Sequence, residues 1–126
     1  MSDGVRVLTE REVPTTLKQY GERKPSPAAH VAAVGRRLYL MITGGEQKTA
    51  GYSLHLAGPP LGEQLARGRL EVALIGPPPD AMVAQVITYP RLVLDLGQGP
   101  LFIREVILHR TEGESLTLPV HIVSET

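Results

Sequence analysis

Gly51-Tyr52-Ser53-Leu54-His55-Leu56-Ala57 places Tyr52, Leu54 and Leu56 on one side of an extended chain and Ser53 and His55 on the other. Alternation with period two is the mark of a half-buried strand, because successive side chains leave a pleated backbone on opposite faces. The same reading extends in both directions. Upstream, residues 37–43 (Arg-Leu-Tyr-Leu-Met-Ile-Thr) put Leu38, Leu40 and Ile42 on one face. Downstream, Leu70, Val72 and Leu74 mark a further strand, followed by residues 82–88, 92–96, 101–108 and 116–123. Residues 5–9 open the series. Thirteen glycines and eleven prolines punctuate these runs, as turns between short strands require. The expected fold is therefore mostly β: a small antiparallel β-sandwich or partly open barrel of about seven strands, with at most one or two short helices.

With 126 residues, the chain is expected to form a single domain, residues 1–126. Its core is aliphatic, since it has no Trp and one Phe, Phe102. Pro14-Thr15-Thr16 can start a helical turn through Leu17 and Tyr20, and the small apolar stretch 28–34 reads as a short helix or a covering loop. Residues 44–50 read as a hairpin connection between the strands on either side. Pro90 cannot donate to a ladder, so Tyr89-Pro90 marks an edge strand, a bulge or a bend. Three segments are apolar on both faces: Leu38/Tyr39/Leu40/Met41, Val72/Ala73/Leu74/Ile75 and Phe102/Ile103 with Val106/Ile107. A sheet with one wet face alternates more cleanly. Two explanations stand equally: a helix or loop over the outer face, or a subunit interface lined by residues such as Tyr39, Met41 and Ile75.

Several chemistries lack their residues. Without cysteine there is no disulfide, thiolate metal site or thiol nucleophile. Thirteen basic residues balance thirteen acidic ones, so no field of one sign draws nucleic acid or anionic lipid. Arg36-Arg37 and Arg67-x-Arg69 are small basic spots at strand ends. No apolar run is long enough to cross a bilayer, and the N-terminus has no apolar leader. The expectation is a cytoplasmic protein as written, or an exported one if a leader was removed. Four histidines (His30, His55, His109, His121) lack metal-ligand spacing, and His55 could meet His121 only if their strands pair in register. Gly44-Gly45 is no phosphate loop. Gly51-Tyr52-Ser53 is no nucleophile elbow, although Ser53 and His55 share a strand face. No catalytic, cofactor or metal residues are expected, and no enzyme.

Four pieces of the chain occur in order: Gly45-Glu46-Gln47-Lys48-Thr49-Ala50-Gly51-Tyr52-Ser53-Leu54, Leu70-Glu71-Val72, Pro77-Pro78-Pro79-Asp80, and Val83-Ala84-Gln85-Val86-Ile87-Thr88-Tyr89-Pro90. Together, over residues 42–94, they resemble the C-terminal domain of the PrcB family, known from a subunit of a bacterial secreted protease complex. Ala50 and Lys48 stand where that pattern favours glycine and proline. Residues 1–35 and 97–126 are additional elements. The resemblance implies a non-catalytic accessory domain that binds a protein, either a protease or a second copy in a homodimer. Lys48, Thr49, Gly51, Tyr52, Tyr89 and Pro90 carry the candidate interaction or structural motif. Lys48-Thr49-Ala50-Gly51-Tyr52 is also similar to the Pro-Thr-Thr-Gly-Tyr loop of chagasin-like inhibitors, which makes a protease inhibitor or protease-binding module the alternative.

Overall fold

A computed structural model describes residues 5–20, 24–97, 103–110 and 113–122. Among these residues eight strands form one curled sheet: β1 (Arg6–Val7), β2 (Ala28–Val34), β3 (Arg37–Thr43), β4 (Ser53–Leu56), β5 (Arg69–Ile75), β6 (Arg91–Gly97), β7 (Glu105–Arg110) and β8 (Leu116–Ile122). Their order is β1-β6-β3-β2-β8-β7-β5-β4. A 3-10 turn spans Thr15–Leu17, where the helical turn is expected, and one short helix, α1 (Leu61–Arg67), precedes β5. The fold class read from the sequence holds, as a half-barrel.

Pairing is mostly antiparallel, but β2 runs parallel to β8 and β5 parallel to β7. Two further expectations are corrected. β3 and β4 do not form a hairpin, since β3 pairs with β2 and β6 while β4 pairs with β5. Residues 44–52 instead carry the chain from one half of the sheet to the other. The Ala-rich stretch 28–34 is a strand, not a helix or cover. Its small residues let it lie between β3 and β8, with Ala29 fully buried. Leu101, Phe102 and Val123 of the expected last strands lie outside the described residues.

Curling brings the two halves of the sheet onto one aliphatic core. Leu40, Ile42, Leu92 and Leu94 from β3 and β6 meet Leu54, Leu70, Val72, Val106 and Leu108 from β4, β5 and β7. β5 shows the clean alternation the sequence displays, with Leu70, Val72 and Leu74 inward and Arg69 and Ile75 exposed. Leu61 and Leu65, four residues apart on one face of α1, pack against the same core.

β3 and β6 are buried on both faces because a second, smaller core lies behind them. Ala32, Tyr39, Met41 and Val93 pack there against Leu8, Val13 and Leu17 of the N-terminal segment. Of the two explanations for two-sided apolar strands, the covering loop is the one observed at β3. Tyr39 and Met41, 9% and 2% exposed, are unavailable to a second subunit.

Arg91 clasps this cover. Its guanidinium donates to the carbonyls of Leu17, Lys18 and Tyr20 at 2.7–3.2 Å and to the Glu10 carboxylate at 2.6 Å. The Arg91 hydrogen bond, ahead of its charge, holds the Glu10 carboxyl below its ordinary value of 4.5 despite some opposing desolvation. The folded state therefore gives up this proton more readily than the unfolded chain. The resulting stability is complete above about pH 4.5 and is lost as pH falls through the lower folded value. Glu12 shifts the same way, through the Thr9 amide and then Arg6. In melting curves from pH 6 to 3, Glu10→Gln is expected to lose stability less steeply than the parent chain. An unchanged slope would count against the clasp.

Candidate functional site

The motif read from the sequence becomes one structure because its two halves zip together. Gln47 and Thr88 exchange backbone hydrogen bonds at 2.8 and 2.9 Å, and Ala50 donates to the Ala84 carbonyl at 3.0 Å. Thr88 Oγ1 donates to the Thr49 carbonyl at 2.8 Å. Residues 84–88 thus run antiparallel beside 47–50. Residues 82–88, expected as a strand, form only the single bridge at Thr88.

Each motif residue has a defined place. Lys48 is exposed and Thr49 half-buried. Gly51 adopts φ 98°, and a Cβ there would stand 3.0 Å from Pro77, so the close approach of the proline turn requires glycine. Tyr52 packs against the edge of the main core, its ring over Gly76, where a Cβ would come within 2.7 Å of it. The Tyr89 hydroxyl donates to Glu46 at 3.2 Å. Pro90 neither interrupts a strand nor marks an edge. It sits immediately before β6, an inner strand, where its missing N–H costs no ladder bond. Its carbonyl accepts the Gly44 N–H at 2.8 Å.

Around this zipper opens a groove of about 580 Å³. Pro25 and Pro27, Pro77 and Pro79, and Tyr52 line it, with Glu46 and Arg110 adding charge. Pro25, Pro27 and Arg110 are far from the motif in sequence, and no local pattern announces them. Beyond the groove, residues 78–82 and 84–87 are exposed. Met82 is fully exposed, and Val86 and Ile87 are 52% and 59% exposed.

The histidines settle differently from the sequence-based conditions. β4 and β8 are not neighbours, so His55 does not meet His121. Ser53 and His55 do touch, with Oγ 2.7 Å from Nε2. Ser115 Oγ lies 2.9 Å from His109 Nδ1, and His109 Nε2 lies 2.9 Å from Glu71 Oε1. Hydroxyl, imidazole and carboxylate in that order resemble a nucleophilic triad. Their sequence numbers hid them, because the parallel β5–β7 pairing assembles them. The His109 and Glu71 side chains are 41% and 27% exposed, where water screens the pair. The chain ties the β7–β8 turn to β5.

A second groove, of about 530 Å³, lies beside Glu71 and is lined by Arg67, Arg69, Arg104, Glu105 and Gln64. Arg69 is paired with Glu105 at 2.6 Å. Among the described residues no group of three or more metal-ligating side chains gathers, and no helix is long and apolar enough to cross a membrane.

No curated protein and no solved structure shows a significant match. A family model does: the one described as PrcB C-terminal matches residues 38–96, a wider span than the 42–94 that carries the motif. The match takes in β3, β4, α1, β5, the zipper and nearly all of β6, and leaves β1, β2, β7 and β8 outside it. Over residues 38–96, this chain matches the PrcB C-terminal family, as its motif leads one to expect.

Proposed function

We propose that this chain is a non-catalytic protein-interaction domain that receives an extended segment of its partner along residues 82–87. The observation carrying this reading is that segment itself. It has the composition of a strand, carries no charge between Asp80 and Arg91, and exposes Met82, Val86 and Ile87. Among the described residues, it is bonded along one side only. Ala84 and Thr88 turn their backbone groups toward residues 47–50. By the alternation of an extended chain, Val83, Gln85 and Ile87 turn theirs the other way. An edge of this kind accepts an added strand, with main-chain bonds supplying affinity and alternate side chains supplying selectivity.

The PrcB relationship makes a protease, or the complex around one, the class of partner. A second copy is the other candidate. With Tyr39 and Met41 covered, the exposed apolar residues left for self-association are those of this segment, Ile75, Val7 and Ile122. Antiparallel pairing about Gln85 would set Val83 against Ile87, a self-complementary arrangement. The inhibitor reading is less favoured by the geometry. Thr49 and Ala50 are bonded into the zipper, so the Lys48–Tyr52 loop is braced and not presented free.

The test uses sedimentation velocity together with selection of extended peptides from a displayed library. A concentration-dependent dimer that Val86→Lys dissolves identifies a second copy as partner. A monomer that selects uncharged, β-branched peptides, weakened at least tenfold by Val86→Lys and by Gln85→Pro, identifies a heterologous one. Failure of both, or binding indifferent to these substitutions, overturns the reading.

A further inference from the structure

On the sheet face near the N-terminal cover, His30 of β2 and His121 of β8 are register partners across the parallel pair. Their ring centroids are 5.4 Å apart with a 38° tilt. Tyr20, from the covering segment, stands edge-on to His30 with centroids at 5.2 Å. Its hydroxyl pairs with His30 Nδ1. We propose that His30 and His121 form a two-imidazole site for a divalent transition-metal ion of the copper, nickel and zinc class.

Two features favour this over a chance pair. First, two metal–nitrogen bonds of about 2.1 Å at a tetrahedral angle need ligand atoms about 3.3 Å apart. Neighbouring strands lie about 4.8 Å apart, so with the His30 ring held by Tyr20, rotation of the His121 ring about its Cβ–Cγ bond brings its ligating nitrogen toward that separation. Second, the Tyr20 hydroxyl occupies Nδ1 of His30 and leaves Nε2 as the ligand atom. A ligating imidazole almost always has its other nitrogen held in this way, which fixes the ring and its tautomer. Once a metal takes Nε2, the Tyr20 hydroxyl can accept a hydrogen bond from the Nδ1–H of His30.

The ligand set is two protein nitrogens, with water filling the remaining positions. Imidazole ligands suit copper, zinc and nickel, and the general order of divalent affinities puts copper highest. Binding is therefore expected in the micromolar range and selective for copper over zinc. The site lies apart from residues 82–87 and stands or falls independently of the reading given above.

Calorimetric titration of the full chain, free of any polyhistidine tag, with copper(II), nickel(II) and zinc(II) salts at pH 7.5 tests it. One equivalent of copper should bind, more weakly by at least tenfold in His30→Ala and in His121→Ala. Tyr20→Phe should weaken it several-fold. His55→Ala, which removes an exposed histidine on another strand, should leave it unchanged. Circular dichroism melts without metal check that each variant is folded. No saturable binding overturns the site. So does equal weakening by His55→Ala, or a His121→Ala variant that binds like the parent chain.

Discussion

Gln64→Glu is expected to cost about 3–5 kcal/mol at pH 7, a loss at the upper end of what single substitutions produce. Gln64 is 3% exposed in the first turns of α1. Its amide nitrogen donates to the carbonyls of Ala57 and Pro59, both at 2.6 Å. Its amide oxygen accepts the Glu71 N–H at 2.6 Å. One side chain thus joins the β4–α1 link, α1 and β5. A carboxylate has the same shape but no protons, so two carbonyl oxygens would face a negative charge in a buried site. Burial would raise its pKa above the unfolded value. The variant then regains stability below the unfolded carboxyl value and loses it as pH rises through the raised folded one. Gln64→Met, which loses the three bonds but adds no charge, serves as the reference. In urea denaturation the glutamate variant should be clearly weaker than the methionine variant at pH 7 and close to it near pH 4. Equal stability of the two at pH 7 would mean that the amide does not donate as described.

Gln64 also illustrates what a linear sequence conceals. Leu-Gly-Glu-Gln-Leu-Ala-Arg carries only Leu61 and Leu65 as apolar markers, and nothing in it shows that the glutamine faces inward. The strands were legible where they are half-buried, as in β5, where inward Leu70, Val72 and Leu74 alternate with outward residues. β2 was not legible, because alanine favours strands little and four of its seven residues are alanine. What fixes it as a strand is its place between β3 and β8, a long-range fact. Residues 82–88 erred in the opposite direction. Their pattern is that of a strand, and the fold supplies a neighbour on one side only. That mismatch between local preference and observed pairing is also the ground on which the segment is proposed as a surface for a partner.

The candidate site divides along the same line. Residues 44–52 and 82–90 were readable as two pieces of one motif, and their zipper follows from proximity once the sheet curls. The walls at Pro25, Pro27 and Arg110, and the Glu71–His109–Ser115 chain, depend on which strands become neighbours. Parallel pairing of β5 with β7 joins residues more than thirty positions apart, for instance Ala73 with His109. No window of sequence encodes that register.

The cover over β3 and β6 was legible only as a question, and Arg91 holds the answer. Three apolar residues, Leu8, Val13 and Leu17, lie in an otherwise polar segment and would hold it weakly by themselves. The guanidinium adds three bonds to the main-chain carbonyls of Leu17, Lys18 and Tyr20, of which Leu17 also accepts the Tyr20 N–H. Its side chain is only 12% exposed, whereas Glu10 is 71% exposed, so the carbonyl bonds, and not the screened ion pair, carry most of the effect. Arg91→Ala should therefore cost about 2–4 kcal/mol, with Glu10→Gln well below it. Arg91→Lys should recover little, because an ammonium group cannot reproduce the planar fork. In hydrogen exchange, amides of residues 8–20 should open at least tenfold faster in Arg91→Ala, while those of β5 and β7 change only with global stability. Release of the segment would also bare Tyr39, Met41 and Val93, an apolar face on a central pair of strands. The variant should accordingly self-associate on sedimentation where the parent chain does not do so through this face. Exchange in residues 8–20 that matches the parent chain would show that the apolar contacts suffice and that Arg91 is incidental to the cover.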